Sequence, residues 1–145
     1  MKRYVREAGT ASVQALLRFA PRAASRLSEV EVASAICRRS REGLLSPVER
    51  EELLAAIRED LASFVVVELS PEVVARARRL LTVYPLRSAD AIQLASALVL
   101  ADASGEPVTF VAFDAALRRA ATSEGLRLAG TTVSGRKASP FTPSR

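Results

Sequence analysis

Apolar residues along the chain follow two kinds of spacing, one typical of helices and one typical of strands. Helical spacing predicts six helices, over 10–19, 28–42, 47–62, 71–83, 88–104 and 115–124. Continuous apolar runs predict two strands buried on both faces, and shorter runs are weaker strand candidates, in the order 23–27, 64–69, 108–113 and 127–129. Strands separated by helices predict parallel crossovers and hence an α/β fold, a three-layer α/β/α sandwich around a parallel central sheet.

Residue types at the ends of these stretches predict where several helices begin and end. Ser46-Pro47-Val48-Glu49 has the spacing of a capping box with proline at the first helical position. Ser28-Glu29-Val30-Glu31 has the same spacing, which predicts that a second capping box opens the helix over 28–42. Glycine is a common helix stop, and it follows three of the predicted helices, at Gly43, Gly105 and Gly125.

The 145 residues suffice for one domain, which we expect to cover residues 1–130. Residues 131–145 are Ser, Thr, Pro, Gly and basic residues without periodicity, which predicts a disordered basic tail. The longest apolar run, 91–103, is interrupted by polar residues and is too short for a membrane span. No apolar segment follows the first basic residues, so we expect no secretory signal and a cytoplasmic location.

Composition restricts the chemistry available to the protein. The sequence contains no His and one Cys, which excludes Ser–His–Asp catalysis, Cys–His catalysis and zinc sites built from His or several Cys. Any catalysis must therefore use carboxylates, either as acid/base pairs or as ligands of a hard cation. The net charge of +5 favours nucleic acid as a partner, although a solvated Arg-rich surface explains the charge equally well.

Asp90 is the first of three acidic residues with unusual surroundings. It heads an otherwise apolar helical stripe that continues through Leu94, Ala97 and Ala101. A carboxylate in such a position needs a helix N-terminus or a cation as its partner. The simpler interpretation is a first-turn Asp favoured by the helix dipole, and the residues alone leave both open.

Asp114 follows directly on the predicted strand over 108–113. Ligands of parallel sheets gather at the C-terminal ends of the strands, which makes this a favoured place for a functional acid. The simpler interpretation is an N-cap residue for the next helix, and it is equally consistent with the sequence.

Glu31 is the third acidic residue, and its helix face continues through Ser34 and Ala35, whose small side chains leave room for a ligand. On spacing alone the capping-box role is the better explanation, and Glu29 is a rival for any ligand role. If three carboxylates meet, their charges repel, and a Mg²⁺ or Mn²⁺ ion relieves the repulsion and can activate water for attack on a phosphodiester. A basic chain with converging acids and no His is therefore typical of a metal-dependent nuclease.

Four segments of the chain resemble the PIN-domain VapC toxins of type II toxin–antitoxin pairs. They are Tyr4-Val5-Arg6-Glu7-Ala8-Gly9, Ser28-Glu29-Val30-Glu31-Val32-Ala33-Ser34-Ala35, Leu86-Arg87-Ser88-Ala89-Asp90-Ala91-Ile92-Gln93-Leu94-Ala95, and Phe110-Val111-Ala112-Phe113-Asp114 with Leu117. The segment around Asp90 is the most specific, and the order and spacing of all four agree over about residues 3–130.

The resemblance implies a Mg²⁺- or Mn²⁺-dependent endoribonuclease that hydrolyses RNA, forms a homodimer and is held inactive by a cognate antitoxin protein. It also implies that Glu31, Asp90 and Asp114 are catalytic metal ligands, in the second, third and fourth acidic positions of the family. This favours Glu31 over Glu29.

The chain departs from the family pattern at two places. Many relatives have Thr or Ser two residues before the last acid, where this chain has Ala112. The family opens with a central strand that supplies its first acid, just before the segment that corresponds to Lys2-Arg3-Tyr4-Val5. Since Met1 precedes that segment directly, we expect the first strand and the first acid to be missing.

Two rival functions remain. A catalytically impaired, N-terminally truncated PIN protein could act only by binding its antitoxin, and the missing first acid favours this alternative. A phosphoacceptor signalling domain also groups acids at strand ends, but it needs an acid pair after its first strand, and the sequence has none there.

Overall fold

The computed structural model describes residues 21–129, in which short strands and helices alternate. The strands are β1 (Ala23–Ser25), β2 (Val65–Val67), β3 (Thr109–Val111) and β4 (Arg127–Ala129). The helices are α1 (Arg26–Arg41), α2 (Pro47–Ala62), α3 (Pro71–Val83), α4 (Ser88–Ser104) and α5 (Ala115–Ser123). The predicted mixed α/β fold is confirmed. The predicted helix over 10–19, the tail over 131–145 and the segment around Met1 lie outside the described residues.

The four described strands form two parallel pairs. β1 pairs with β2, with Ala24 opposite Val66, and β3 pairs with β4, with Phe110 opposite Leu128. Within residues 21–129 the two pairs are not hydrogen-bonded to each other, so this part of the chain contains two small sheets and not one. The parallel direction predicted from the helical crossovers is confirmed.

The strands are less buried than the sequence predicts. The side chain of Val65 in β2 is 55% exposed and that of Val111 in β3 is 42% exposed, so the expectation that both runs are buried on both faces is wrong. The physical reason lies in the size of the sheets. Each has two strands of three residues, a surface too narrow for helices to cover completely, whereas a wide parallel sheet is enclosed on both faces.

Local capping signals explain most helix starts. Ser46 accepts a hydrogen bond from the backbone N–H of Glu49, and the Glu49 carboxylate accepts one from the backbone N–H of Ser46, so the predicted capping box of α2 is confirmed. The second predicted box is wrong. α1 begins at Arg26 with Ser25 as its N-cap, and Ser28 lies inside the helix, where its hydroxyl contacts Gln93 of α4 instead.

The described core is built mainly between α3 and α4. Leu80 of α3 and Leu94 of α4 are fully buried, and burying such a side chain stabilises the fold by about 1.5–3 kcal/mol. α5 adds Leu117 to the same cluster. α4 also contacts β1, α1 and α5, which makes it the element that connects most of the described fold. No helix within residues 21–129 has the length and apolar character needed to cross a membrane.

Candidate functional site

Asp90 lies in the first turn of α4, which begins after the N-cap residue Arg87, and its side chain is half-buried. Burial raises the pKa of the Asp90 carboxyl above its ordinary value, and the nearby charges of Asp114 and Glu31 raise it further. The charge of Arg87 and a hydrogen bond from its main chain act in the opposite direction. The structure therefore brings Glu31 and Asp114 each near enough to Asp90, at the start of α4, for their charges to act on it.

Asp114 follows β3 and is the N-cap residue of α5. Its Oδ1 accepts a hydrogen bond of 2.9 Å from the backbone N–H of Leu117. The side chain is exposed. Asp114 is thus an N-cap residue, as the simpler interpretation predicts. The capping bond, however, uses Oδ1 only. The same carboxylate can cap the helix through one oxygen and offer the other to a ligand.

Glu31 projects from α1, the helix that follows β1 directly, and it is exposed. Its Oε2 accepts a hydrogen bond of 2.5 Å from the side-chain amide of Gln93 on α4. The capping-box interpretation of Glu31 is wrong, because the cap of α1 is Ser25. Through Gln93, Glu31 is instead bonded to the same side of α4 that carries Asp90.

The rival acid Glu29 has a different partner. Arg26 donates to Glu29 at 3.1 Å and binds both carboxylate oxygens of Glu68, the residue that follows β2. This hydrogen bond with Arg26 lowers the pKa of Glu68. Arg26 thus connects the start of α1 with the end of β2. Glu29 belongs to this ion-pair network and not to the group around Asp90.

Sequence reasoning missed Arg118, which lies on α5 one turn after Asp114. Its Nη1 donates hydrogen bonds to the backbone carbonyls of Ala112 at 2.9 Å and Ala129 at 3.0 Å. These carbonyls follow β3 and end β4, so the half-buried guanidinium connects the C-terminal ends of both strands. The side chain of Ala112 has no polar atom, but its backbone carbonyl is therefore bonded. No signal in the sequence identified Arg118, because the adjacent Arg119 on α5 is an equal candidate.

A cavity in the described region lies away from the three acids. It has a volume of about 330 Å³ and is lined by residues of α1, α2 and the β2 segment: Arg26, Glu29, Arg58, Leu61, Ala62, Phe64 and Val66. Neither Glu31, Asp90 nor Asp114 lines it. Glu31 and Asp114 are exposed and Asp90 is half-buried, so at least two of the three acids are accessible to a large substrate.

The donor chemistry of the three acids fits a hard divalent cation, since Mg²⁺ and Mn²⁺ prefer carboxylate and water oxygens. The three side chains are, however, too far apart to bind one ion together. Among residues 21–129, no three acidic, His or Cys side chains are drawn together closely enough to hold a metal ion as they stand. A cation at this place would have to draw Glu31 and Asp114 further towards Asp90.

A mixed α/β fold with short parallel strands and acidic residues after two of them is typical of metal-dependent nuclease folds. The family model for the PIN domain matches residues 5–123, so this chain belongs to the PIN-domain family. PIN domains are generally nucleases and typically use divalent metals. A search of curated proteins finds no match to the chain.

Proposed function

We propose that this protein is a Mg²⁺- or Mn²⁺-dependent endoribonuclease and that Glu31, Asp90 and Asp114 are its metal ligands. The observation that supports the proposal most is that Glu31 and Asp114, which lie on elements far apart in sequence, are each near enough to Asp90 for their charges to act on it. Like charges in one region are unfavourable for folding, and a divalent cation turns the same arrangement into a favourable one.

RNA as the substrate is supported by charge and by family. The chain has a net charge of +5 and a sequence pI of about 10.3, which favours association with polyanions. When bound, the ion would activate a water for in-line attack on the phosphodiester and stabilise the leaving oxygen. The three carboxylates would orient the ion, and Asp114 would do so from the rigid start of α5.

The toxin role, with a cognate antitoxin and a homodimer, rests on the resemblance of the segments around Glu31, Asp90 and Asp114 to VapC toxins. Exposed apolar side chains support partner binding in general. Val30 on α1 is 64% exposed and Val48 on α2 is 66% exposed. Apolar side chains on adjoining helices are what a partner segment with an apolar face would cover.

A second candidate is a protein that binds its antitoxin without cleaving RNA. It is favoured by the spacing of the acids, because no group of three in the described region is close enough to hold an ion as it stands. The hydrogen bond from Gln93 to Glu31 also favours this candidate, since Oε2 of Glu31 already has a partner.

Titration of the full chain with Mn²⁺, followed by calorimetry, separates the two candidates. The nuclease proposal predicts saturable binding that Asp90→Asn abolishes. Asp102→Asn is the matched control, because Asp102 lies on the same helix, is exposed and pairs with Arg76 away from the three acids. Wild-type protein that binds no Mn²⁺ would overturn the metal-ligand proposal and leave the partner-only candidate.

A further inference from the structure

Gln93 connects one of the three acids, Glu31, to the helix that carries another, Asp90. It lies one turn after Asp90 on α4, and residues three apart on a helix project from the same side. From there its side-chain amide reaches two residues of α1. The amide nitrogen is 2.5 Å from Oε2 of Glu31 and 2.9 Å from the hydroxyl oxygen of Ser28, and the amide oxygen is 3.2 Å from the same hydroxyl.

Elementary hydrogen-bond chemistry fixes the orientation of this amide. An ionised carboxylate can only accept, so the atom of Gln93 that faces Glu31 must be the amide nitrogen. The amide oxygen then needs a donor, and the Ser28 hydroxyl supplies one. Ser28 and Glu31 are three residues apart on α1, so both project toward α4 together.

We infer that Gln93 is the positioning residue of the acidic group, holding the carboxylate of Glu31 on the side of α1 that faces Asp90, with Ser28 orienting the amide. This inference rests on the proposed function for its consequence, the retention of a cation, and on the described contacts for its geometry. Gln93 itself touches neither substrate nor ion.

The need for such a residue follows from the exposure of Glu31. An exposed Glu side chain has several rotamers available, and most of them carry the carboxylate into solvent. The neighbouring negative charge of Asp90 adds to this tendency, because like charges repel. A fixed N–H donor at Gln93 opposes both effects. It is uncharged, so it holds the carboxylate without neutralising it for a cation.

The first test needs no metal. In an NMR spectrum of the full chain, the side-chain NH₂ group of Gln93 should show a shifted, exchange-protected resonance. Glu31→Ala should reduce the protection and move the resonance toward that of a solvent-exposed amide. Ser28→Ala should also shift it, while Ser28→Thr, which keeps the hydroxyl, should restore it. A Gln93 resonance that is already solvent-like in wild type would overturn the inference, whether or not the protein binds metal.

The second test measures Mn²⁺ affinity. Gln93→Met keeps the length of the side chain and removes the donor, and loss of a residue that orients a metal ligand typically weakens binding about 10–100-fold. A purely structural role would lower affinity equally in any background. The inference predicts instead that Gln93→Met has no further effect once Glu31→Gln is present, because the two residues then no longer interact.

The possible results are distinguishable. Full Mn²⁺ affinity in Gln93→Met, or an equal loss in the Glu31→Gln background, would overturn the positioning role and leave the proposed function intact. A wild-type protein that binds no Mn²⁺, but shows the protected Gln93 resonance lost in Glu31→Ala, would contradict the proposed function and support the placement of Glu31 by Gln93.

Discussion

Asp90 lies in the first turn of α4 and Asp114 caps α5, and the two lie close enough for the charge of Asp114 to act on Asp90. Burial is the main cause of the raised pKa of Asp90, and the charges of Asp114 and Glu31 add to it. In a protein without a bound cation, this arrangement makes the ionised form of Asp90 less favourable than it is in the unfolded chain. The same features that make a group of acids suitable for a cation therefore make it unfavourable for the stability of the metal-free fold.

Asp90→Asn should stabilise the metal-free protein near neutral pH. Because the pKa of Asp90 lies above its ordinary value of 3.8 in the folded state, the folded state binds more protons than the unfolded state as the pH rises from that value. The free energy of unfolding therefore falls as pH rises through the raised pKa. Asn does not titrate, so the variant should lose this fall and melt higher at pH 7 in the presence of a chelator.

Thermal melts between pH 3.5 and 7 measure this effect, with Asp102→Asn as the control. The control should keep the wild-type dependence of melting temperature on pH, since the ion pair of the exposed Asp102 with Arg76 contributes little to stability. An unchanged pH dependence in Asp90→Asn would show that Asp90 titrates in the folded protein as it does in the unfolded chain.

Two substitutions at Asp114 should separate its structural contact from its ligand role. Asn caps helices about as well as Asp, so Asp114→Asn should keep the bond to the Leu117 N–H and the stability of the protein. Asp114→Ala loses the cap and should lower the free energy of unfolding by about 1 kcal/mol. Both should lose Mn²⁺ binding. Urea unfolding and Mn²⁺ calorimetry on the two variants check this, and full Mn²⁺ affinity in Asp114→Asn would limit Asp114 to capping.

Arg118→Met should destabilise the fold much more than Arg119→Met. Arg118 satisfies the carbonyls of Ala112 and Ala129 at the ends of two strands, and hydrogen bonds of charged donors contribute about 1.5–3 kcal/mol. Arg119 is its exposed neighbour on α5, and a surface change of this kind is typically within about 0.5 kcal/mol of neutral. Urea denaturation measures both. Equal stability of the two variants would mean that water replaces the guanidinium at the carbonyls.

The sequence predicted most helices well because their end signals are local. Ser46 with Glu49, and the glycine at position 105, act on backbone groups within a few residues, and α2 and α4 have the predicted bounds. Ser28 and Glu31 show the limit of such signals. Their spacing is that of a capping box, but both face α4 inside a helix, and only the packing of α1 on α4 distinguishes the two situations.

Burial and cross-element contacts were not predictable in the same way. A run such as Val65-Val66-Val67 reports the strand preference of valine, whereas its exposure depends on how many strands and helices cover it. The positions of Glu31, Asp90 and Asp114 in the sequence suggested a shared site, and the structure brings Glu31 and Asp114 each near Asp90. The hydrogen bond from Gln93 to Glu31, and those from Arg118 to the carbonyls of Ala112 and Ala129, depend on contacts between elements that no spacing along the chain encodes.

Mn²⁺-dependent cleavage of a structured RNA by wild-type protein, Asp90→Asn and Asp102→Asn tests the central claim most directly. The account predicts cleavage by wild type that a chelator abolishes, a similar rate for Asp102→Asn, and a rate at least about 100-fold lower for Asp90→Asn, because loss of a direct ligand should cost no less than loss of a residue that orients one. Circular dichroism should show that Asp90→Asn remains folded. Cleavage by Asp90→Asn at a rate near that of wild type would contradict the assignment of Asp90 as a metal ligand.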